Sequence, residues 1–354
     1  MRIAILGSVA LPVPPPLSGG TEWIAYYQAL GLSEKGHEII LFAAKGNSKN
    51  FNSNIKLIEV GKGDIVTGSA AERKFDPTLT EGSRELRLEM VYLSEVVQKL
   101  IDFKESYDIV LNNMRGEAVF LPIAKMLKKP FVNVIHLNIF SELSELFQNF
   151  KTPIITISNA QRKDFPNLSY LATVYNGVDV NRFQYNDKPA DYLLMVGSIG
   201  RHKNQVDAIK AAKETGKKLI LVGKIRDNDY FEEIKKDIDG ERINWMGEVD
   251  FKTKIKLYKN AQAFLFPVLW KEPFGLVMIE AMSCGVPVIA YNHGAVSEVL
   301  VNNKTGYVIE NYRQMIEAIR KIDRLKRQDC RKHVEENFTI KKMVDSYEKA
   351  LLSI

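Results

Sequence analysis

Cysteine is scarce: the 354 residues hold two, Cys284 and Cys330. Two cysteines cannot build a disulfide framework, and no CxxC pair or Cys/His cluster is present to hold a metal. Such scarcity suits a reducing compartment, so a cytoplasmic protein is expected. Long apolar runs are missing too, and no stretch approaches the ~20 apolar residues of a membrane span. The N-terminal "MRIAILGSVALPVPPP" loosely resembles a short signal peptide, but its apolar run is brief, prolines follow at once and no cleavage site stands out. It reads instead as a first buried strand. Neither "LGSVALP" nor "LSGGTE" is a GxGxxG fingerprint, which weighs against a nicotinamide dehydrogenase. No internal repeat or low-complexity tract is visible.

What is present is an ordinary globular composition, 45% hydrophobic and 26% charged, in a chain long enough for two domains. The net charge of +6 implies either a solvated basic surface or attraction to anionic substrates or an anionic membrane face. Arg320, Lys321, Arg324, Lys326, Arg327, Arg331 and Lys332 cluster near the C-terminus. Nucleic acid is not expected, because no aromatic-interleaved basic groove or binding motif is seen.

Short apolar runs alternate with longer amphipathic ones. "RIAILG", "HEIILFAA", "IKLIEV", "YDIVLNN", "PFVNVIH" and "PIITISN" read as strands, with "TEWIAYYQALGLSEKG" (Thr21 as N-cap), "SRELRLEMVYLSEVVQKLIDF" and "GEAVFLPIAKMLK" as helices between them. The series restarts with "DYLLMVGS", "KLILVGK", "INWMGE", "AFLFPV" and "PVIAYN" as strands around further helices, among them "FGLVMIEAMSCG". Two α/β domains with mostly parallel sheets follow, at 1–177 and 178–338. The join at "VYNGVDVNRFQYNDKPA" is rich in turn residues, 61–85 reads as a long loop, and "IKKMVDSYEKALLSI" as a final amphipathic helix. Two such domains are expected to face each other across a cleft, with ligands at the carboxyl ends of the strands.

The candidate residues lie just after strands. Gly19 and Gly20 precede a helix start and either admit a phosphate or form a plain turn. His136 ends a strand and is either structural or functional. Arg201 and Lys203 suit a diphosphate, or are simply solvated. "WKEPFGLVMIEAMSCG" is the most specific segment: Glu272 precedes a turn of Pro273, Phe274 and Gly275, and Glu280 lies one turn inside the following helix. Two carboxylates spaced this way can each hold the vicinal hydroxyls of a polyol, while the amides of Gly275 and Leu276 are free for an anion. Otherwise Glu272 complements the helix dipole and Glu280 is a buried structural acid.

Taken in order, "GGTE" (19–22), "GHEIILFA" (36–43), "IH" (135–136), "ISNAQRKDF" (157–165), "YNGVDVNRF" (175–183), "VGSIGRHKN" (196–204), "KEPFGLVMIEAMSCGVPVIA" (271–290), "GAVSEVL" (294–300) and "NNKTGYVI" (302–309) resemble the motifs of a family 4 retaining glycosyltransferase of the GT-B fold. The resemblance covers nearly the whole chain, and the E-x7-E spacing of Glu272 and Glu280 is its sharpest element. It implies two Rossmann-like domains, the first on the acceptor side and the second binding a nucleotide-sugar donor, with helix 339–354 packing back on the first.

The resemblance also implies roles. Glu280 would hold the donor ribose and Glu272 the transferred hexose. Phe274, Gly275 and Leu276 would present backbone amides to sugar and phosphate. Arg201 and Lys203 would stabilise the leaving diphosphate, approached from the first domain by Gly19 and Gly20. His136 would contact the donor sugar, and Trp245 and Met246 would border the base. The family often has arginine directly after the glycine of the "VG" strand end; here that place is Ser198, and Arg201 would supply the guanidinium from a shifted position. No DxD pair lies in a fitting place, so cations and helix-start amides, not a metal, would meet the charge on the leaving group. Domain closure would exclude water. The expected donor is UDP-glucose or a related UDP-hexose, then a GDP-sugar. The acceptor is a glycan, lipid-linked sugar or small molecule, as in polysaccharide biosynthesis, with peripheral contact at the inner membrane surface as one location. Oligomeric state stays open. The alternatives are a nucleotide-sugar epimerase of similar fold and a non-catalytic nucleotide-sugar binding protein, separable by product analysis with a donor panel.

Overall fold

The computed structural model describes residues 1–16, 19–46, 51–62 and 81–354, with only the backbone course of 81–85. The chain forms two compact units. The first comprises Met1–Ile157, Gln161–Val174 and Met343–Ile354, and the second Ser158–Ala160 and Tyr175–Lys342.

In the first unit the elements run β1 (Arg2–Ser8), α1 (Gly20–Glu34), β2 (Glu38–Ala44), β3 (Ile55–Val60), α2 (Glu81–Asp102), β4 (Ile109–Asn112), α3 (Glu117–Leu127), β5 (Phe131–Ile135), α4 (Ser141–Phe150), β6 (Ile154–Thr156) and β7 (Tyr170–Thr173). The sheet order is β3-β2-β1-β4-β5-β6-β7, and every neighbouring pair is parallel. Central strands covered on both faces must be apolar throughout, and β1 and β4 are buried along nearly their whole length. Leu6, Phe42 and Val110 pack against Leu93, Val96 and Phe120 on one side. Each such side chain contributes about 1.5–3 kcal/mol by leaving water.

Three details depart from the sequence expectation. The N-cap of α1 is Gly19, not Thr21, and no side chain caps the helix. α4 and β7 carried no clear signal, the first being one short amphipathic turn-set that buries Leu143 and Phe147, the second a half-exposed edge strand without alternation. The expected loop at 61–85 ends earlier, because α2 begins at Glu81, and its residues 63–80 lie outside the described residues.

The second unit runs β8 (Tyr192–Val196), α5 (Gln205–Thr215), β9 (Lys218–Val222), α6 (Asn228–Lys235), β10 (Ile243–Trp245), α7 (Phe251–Asn260), β11 (Ala263–Phe266), α8 (Leu276–Ser283), β12 (Val288–Tyr291), α9 (Val296–Val299), β13 (Gly306–Ile309), α10 (Tyr312–Lys321) and α11 (Arg327–Asn337). Its all-parallel order β10-β9-β8-β11-β12-β13 is the doubly wound arrangement of a Rossmann fold. Side chains of Asp227, Asp250 and Asn311 accept first-turn amides and so set where α6, α7 and α10 begin.

Two of the seven basic C-terminal residues are engaged inside the fold. Arg327 donates to the carbonyls of Asn186 (2.6 Å), Ala261 (2.9 Å) and Lys259 (3.1 Å). Arg331 donates to those of Phe183 (2.7 Å) and Ser283 (2.8 Å). Both arginines therefore tie α11 to the segment before β8 and to the end of α8. Lys321 and Lys332 pair with glutamates one turn away on their own helices.

The last helix, α12 (Ile340–Leu351), lies against the first unit from Met343 onward. Gly31 of α1 makes this close: a Cβ there would meet Val344 Cγ2 at 2.5 Å. Lys35 pairs with Asp345 (2.7 Å) and Glu348 (2.8 Å), and His37 Nε2 lies 3.1 Å from Glu348. Among the described residues no helix is long and apolar enough to cross a membrane.

The carboxyl ends of β8 and β9 meet at a glycine. Gly223 has φ +142, and a Cβ on it would stand 2.1 Å from the Gly197 carbonyl oxygen. Gly223→Ala should therefore lose more than ~2 kcal/mol, read as a lower urea midpoint. Gly216→Ala, at φ +70 with open space around it, should lose only about 1–2 kcal/mol. Equal losses would show that backbone conformation alone, and not the close approach, demands glycine at 223.

Candidate active site

In the second unit the chain leaves β8 at Val196 and makes a single 3-10 turn, Arg201–Lys203, before α5. The Lys203 stem passes over Gly197, 3.9 Å from where a Cβ would be. Its ammonium reaches Glu272 Oε2 at 3.2 Å. The same oxygen accepts the Trp270 indole N–H at 2.9 Å. The ammonium lies 5.1 Å from the Trp270 ring centroid and 5.7 Å from that of Phe266. Glu272 is only 9% exposed. Such a buried pair contributes little net stability compared with apolar residues of the same volume, so the fold alone does not account for it.

The turn carrying Glu272 is fixed from behind. Glu272 O accepts the Ala295 amide at 2.9 Å. Gly294, at φ +65, lies so close that a Cβ would be 2.2 Å from that carbonyl. The Phe274 ring is buried against Tyr175 and Phe338. Gly275 then takes φ +86 and caps α8 without a side-chain bond. Among the described residues no protein acceptor pairs with the amides of Gly275 and Leu276. A helix start with free amides, one lysine and one carboxylate thus lies at the carboxyl ends of β8 and β11.

Glu280 belongs to a different cluster. It projects from α8 toward α7, where Lys254 Nζ lies 2.9 Å and 3.1 Å from its two oxygens and the Tyr258 hydroxyl donates at 3.0 Å. The Glu272–Glu280 spacing therefore separates two carboxylates, each with its own cation. Lys254 and Tyr258 had no motif to announce them, because their partner Glu280 is distant in sequence, whereas Trp270 stands two residues before Glu272. Burial together with the Glu280 charge pushes the neighbouring Cys284 thiol up to about 12, so it is inert as a nucleophile.

The remaining second-unit residues are less central. Arg201 does not join Lys203: its guanidinium bonds Glu233 (3.0 Å at the longer contact) and lies 3.7 Å from Asp227, over the Tyr230 ring. The Trp245 indole donates to Gly223 O at 2.9 Å and packs on Phe231, bracing the ends of β9 and β10. Met246 beside it is exposed, and its amide bonds Leu221 O. A further cluster escaped the sequence: Glu298 accepts the amides of Asn159 (2.8 Å) and Ala160 (2.6 Å) and the Tyr175 hydroxyl (2.9 Å). It holds the brief excursion Ser158–Ala160 onto the second unit.

In the first unit a cavity of about 190 Å³ opens where the strand order reverses between β1 and β4. Ser8, Thr21, Glu22, Asn113, Arg115, Glu117 and His136 contribute its polar lining. Gly19 and Gly20 form the start of α1 and are not among the cavity's lining; a Cβ on Gly19 would meet Pro15 and Glu22 Oε2 within 3 Å, so this helix start has no room for a side chain there. Glu22 Oε1 accepts the Ser8 hydroxyl at 2.8 Å. Burial raises the Glu22 and Glu117 carboxyls and lowers the His136 imidazole to about 4. Burial thus favours the uncharged form of each of these three groups, and the Arg115 guanidinium of the same lining is paired with Glu89. Among the described residues no group of three His, Cys, Asp or Glu side chains is gathered as for a metal.

Comparison with known proteins bears on the fold and the family. Residues 179–339 match the family model "Glycosyl transferases group 1". A glycogen synthase of Mycobacterium tuberculosis is 29% identical over 152 residues, 40% of this chain and 36% of that protein. A phosphatidyl-myo-inositol mannosyltransferase of Mycolicibacterium smegmatis is 23% identical over 325 residues, covering 87% of this chain and 81% of its own length. Several curated relatives are matched over only 36% to 52% of their length. Among solved structures, Anabaena HepE in complex with UDP and glucose superposes with a TM-score of 0.73 at 17% identity, covering 100% of both chains. The match to the glycosyl transferases group 1 thus lies in the second unit and spans less than half of the chain, while the pair of Rossmann-like units has the GT-B fold of the solved glycosyltransferases it superposes on.

Proposed function

We propose that the protein is a glycosyltransferase that moves a hexose from a nucleotide-sugar donor to an acceptor hydroxyl with retention of anomeric configuration. The observation that carries this is the Lys203–Glu272–Trp270 cluster beside the unpartnered amides at the start of α8. A nucleoside diphosphate leaving group develops negative charge as its bond to the sugar breaks. Lys203 and the helix-start amides are fixed donors for that charge and need no reorganisation during the reaction. Glu272, held between Lys203 and Trp270, accepts hydrogen bonds from hydroxyls of the hexose. Lys203 thereby touches phosphate and orients the sugar-binding carboxylate.

Glu280 takes the ribose hydroxyls. Its Oε1 has one protein donor, Lys254, and a carboxylate oxygen accepts about two hydrogen bonds, so a lone pair is available. The exposed Met246 offers the base an apolar surface backed by Trp245. Arg201, committed to Glu233 and Asp227, is a secondary contributor. A UDP-hexose is the favoured donor and a GDP-sugar the second; the UDP and UDP-glucose complexes of HepE support that order. The charge-stabilising step is assigned to Lys203 and the amides, without a metal. The acceptor is a glycan, a lipid-linked sugar or a small polyol, whose hydroxyls suit the hydrogen-bonding groups Ser8, Thr21 and His136 in the cavity of the first unit.

A panel of UDP- and GDP-hexoses, assayed by nucleoside diphosphate release with and without membrane extract, tests the activity. Lys203→Ala should slow transfer by about 10²–10³-fold. Glu280→Ala should raise the donor KM by at least ~10-fold through the loss of charged hydrogen bonds, with a smaller effect on kcat. Normal kinetics in both variants would sink the site assignment. Arg201→Ala should change kcat by less than ~3-fold, and a loss matching that of Lys203→Ala would restore the guanidinium to the reacting phosphates.

A further inference from the structure

His136 is held from two directions. Its Nε2 lies 3.0 Å from Asn113 Oδ1. That oxygen also accepts from Gln28 Nε2 at 3.1 Å, while Asn113 Nδ2 donates to Gln28 Oε1 at 2.7 Å. Gln28 is fully buried and Asn113 is 2% exposed. The Asn113 amide nitrogen bonds Leu6 O at 2.8 Å, which pins the residue where the strand order reverses. The main chain is braced separately. Buried Gln161 donates to both Ile135 O and Leu137 O at 3.1 Å, gripping the carbonyls on either side of His136. Its Oε1 accepts the Ile157 amide at 2.9 Å.

A carbonyl oxygen can only accept. A neutral imidazole beside Asn113 Oδ1 therefore carries its hydrogen on Nε2, and Nδ1 is left with a lone pair. Among the described residues no protein group bonds Nδ1. A fold-only role would be satisfied by the reciprocal Gln28–Asn113 pair, and the third bond, to a ring lining the cavity, adds nothing to it. The charged and titratable groups sharing that cavity are Glu22 from α1 and Arg115 and Glu117 from the β4–α3 segment. Arg115 pairs outward with Glu89 at 2.6 Å.

We propose that Asn113, itself locked by Gln28, is a positioning residue that fixes His136 as the Nε2–H tautomer, so that Nδ1 accepts a hydrogen bond from a sugar hydroxyl in the first unit's cavity. That the ligand is a sugar rests on the glycosyltransferase reading; the tautomer does not.

The test uses the full chain with 15N-labelled histidine. His136→Gln assigns one signal among the five histidines, and long-range 1H–15N correlation reads the tautomer. The wild type should show His136 as a single Nε2–H form that stays neutral as the pH is lowered to about 5. Asn113→Ala should mix the tautomers. Asn113→Asp should keep the Nε2–H form and raise the pKa, since a carboxylate favours imidazolium. An Nδ1–H or mixed wild-type ring overturns the proposal, and needs no variant to fold. With a donor that turns over, Asn113→Asp activity should fall on acidification from about pH 8 to 6 while wild-type activity holds, because imidazolium Nδ1 cannot accept. Asn113→Asp working at the wild-type rate with His136 protonated overturns it too. The spectra do not depend on turnover, so a silent donor panel would defeat the enzymatic reading and leave the tautomer result standing.

Discussion

A parallel sheet delivers the carboxyl end of every strand to one edge and starts every crossover helix there. Both units obey this constraint, and the candidate groups all follow from it. In the second unit the β8 exit brings Lys203, the β11 exit brings Trp270 and Glu272, and the start of α8 brings unpartnered amides. In the first unit the exits of β1, β4 and β5 bring Ser8, Asn113 and His136 to one cavity. Glycines are needed where these exits crowd. Gly223 lets β9 end against Gly197, and Gly294 lets the segment after β12 lie on the backbone of Glu272.

The candidate sites of the two units handle their carboxylates differently. The second keeps ionised groups in pairs, Lys203 with Glu272 and Lys254 with Glu280, so that each carboxylate is solvated by protein before any ligand arrives. Such pairs are poor sources of stability and good sources of fixed geometry. The first unit surrounds Glu22, Glu117 and His136 with enough protein to push them toward their neutral forms. Paired charges suit a diphosphate and its sugar; neutral donors and acceptors suit hydroxyl groups.

Much of the architecture was legible because buried parallel strands must be short, continuous apolar runs. "RIAILG" and "HEIILFAA" could hardly be anything else, and the restart at "DYLLMVGS" marked a second sheet. α4, β7, α9, β13, α10 and α11 have no counterpart among the elements expected from the sequence. β7 is half-exposed along its length, whereas α10 buries a regular helical stripe of Met315, Ile316, Ala318 and Ile319, so its spacing was present in the sequence. Two of the basic residues near the C-terminus, Arg327 and Arg331, prove to be carbonyl ties inside the fold.

The sequence by itself determined which residues could bear chemistry: local spacing put Glu272 before a glycine turn, Glu280 on the helix after it and Lys203 past a strand end. Those are short-range facts, governed by helix and strand periodicity. Only the tertiary structure decided what each residue faces. Arg201 and Lys203 are two positions apart, yet one turns to Glu233 on α6 and the other to Glu272 beyond β11. Lys254 meets Glu280, and Gln28 meets Asn113 and through it His136, across separations that no local pattern encodes. Pairings of that kind arise when the sheet order places distant strand ends side by side, and the sheet order is a property of the packed chain.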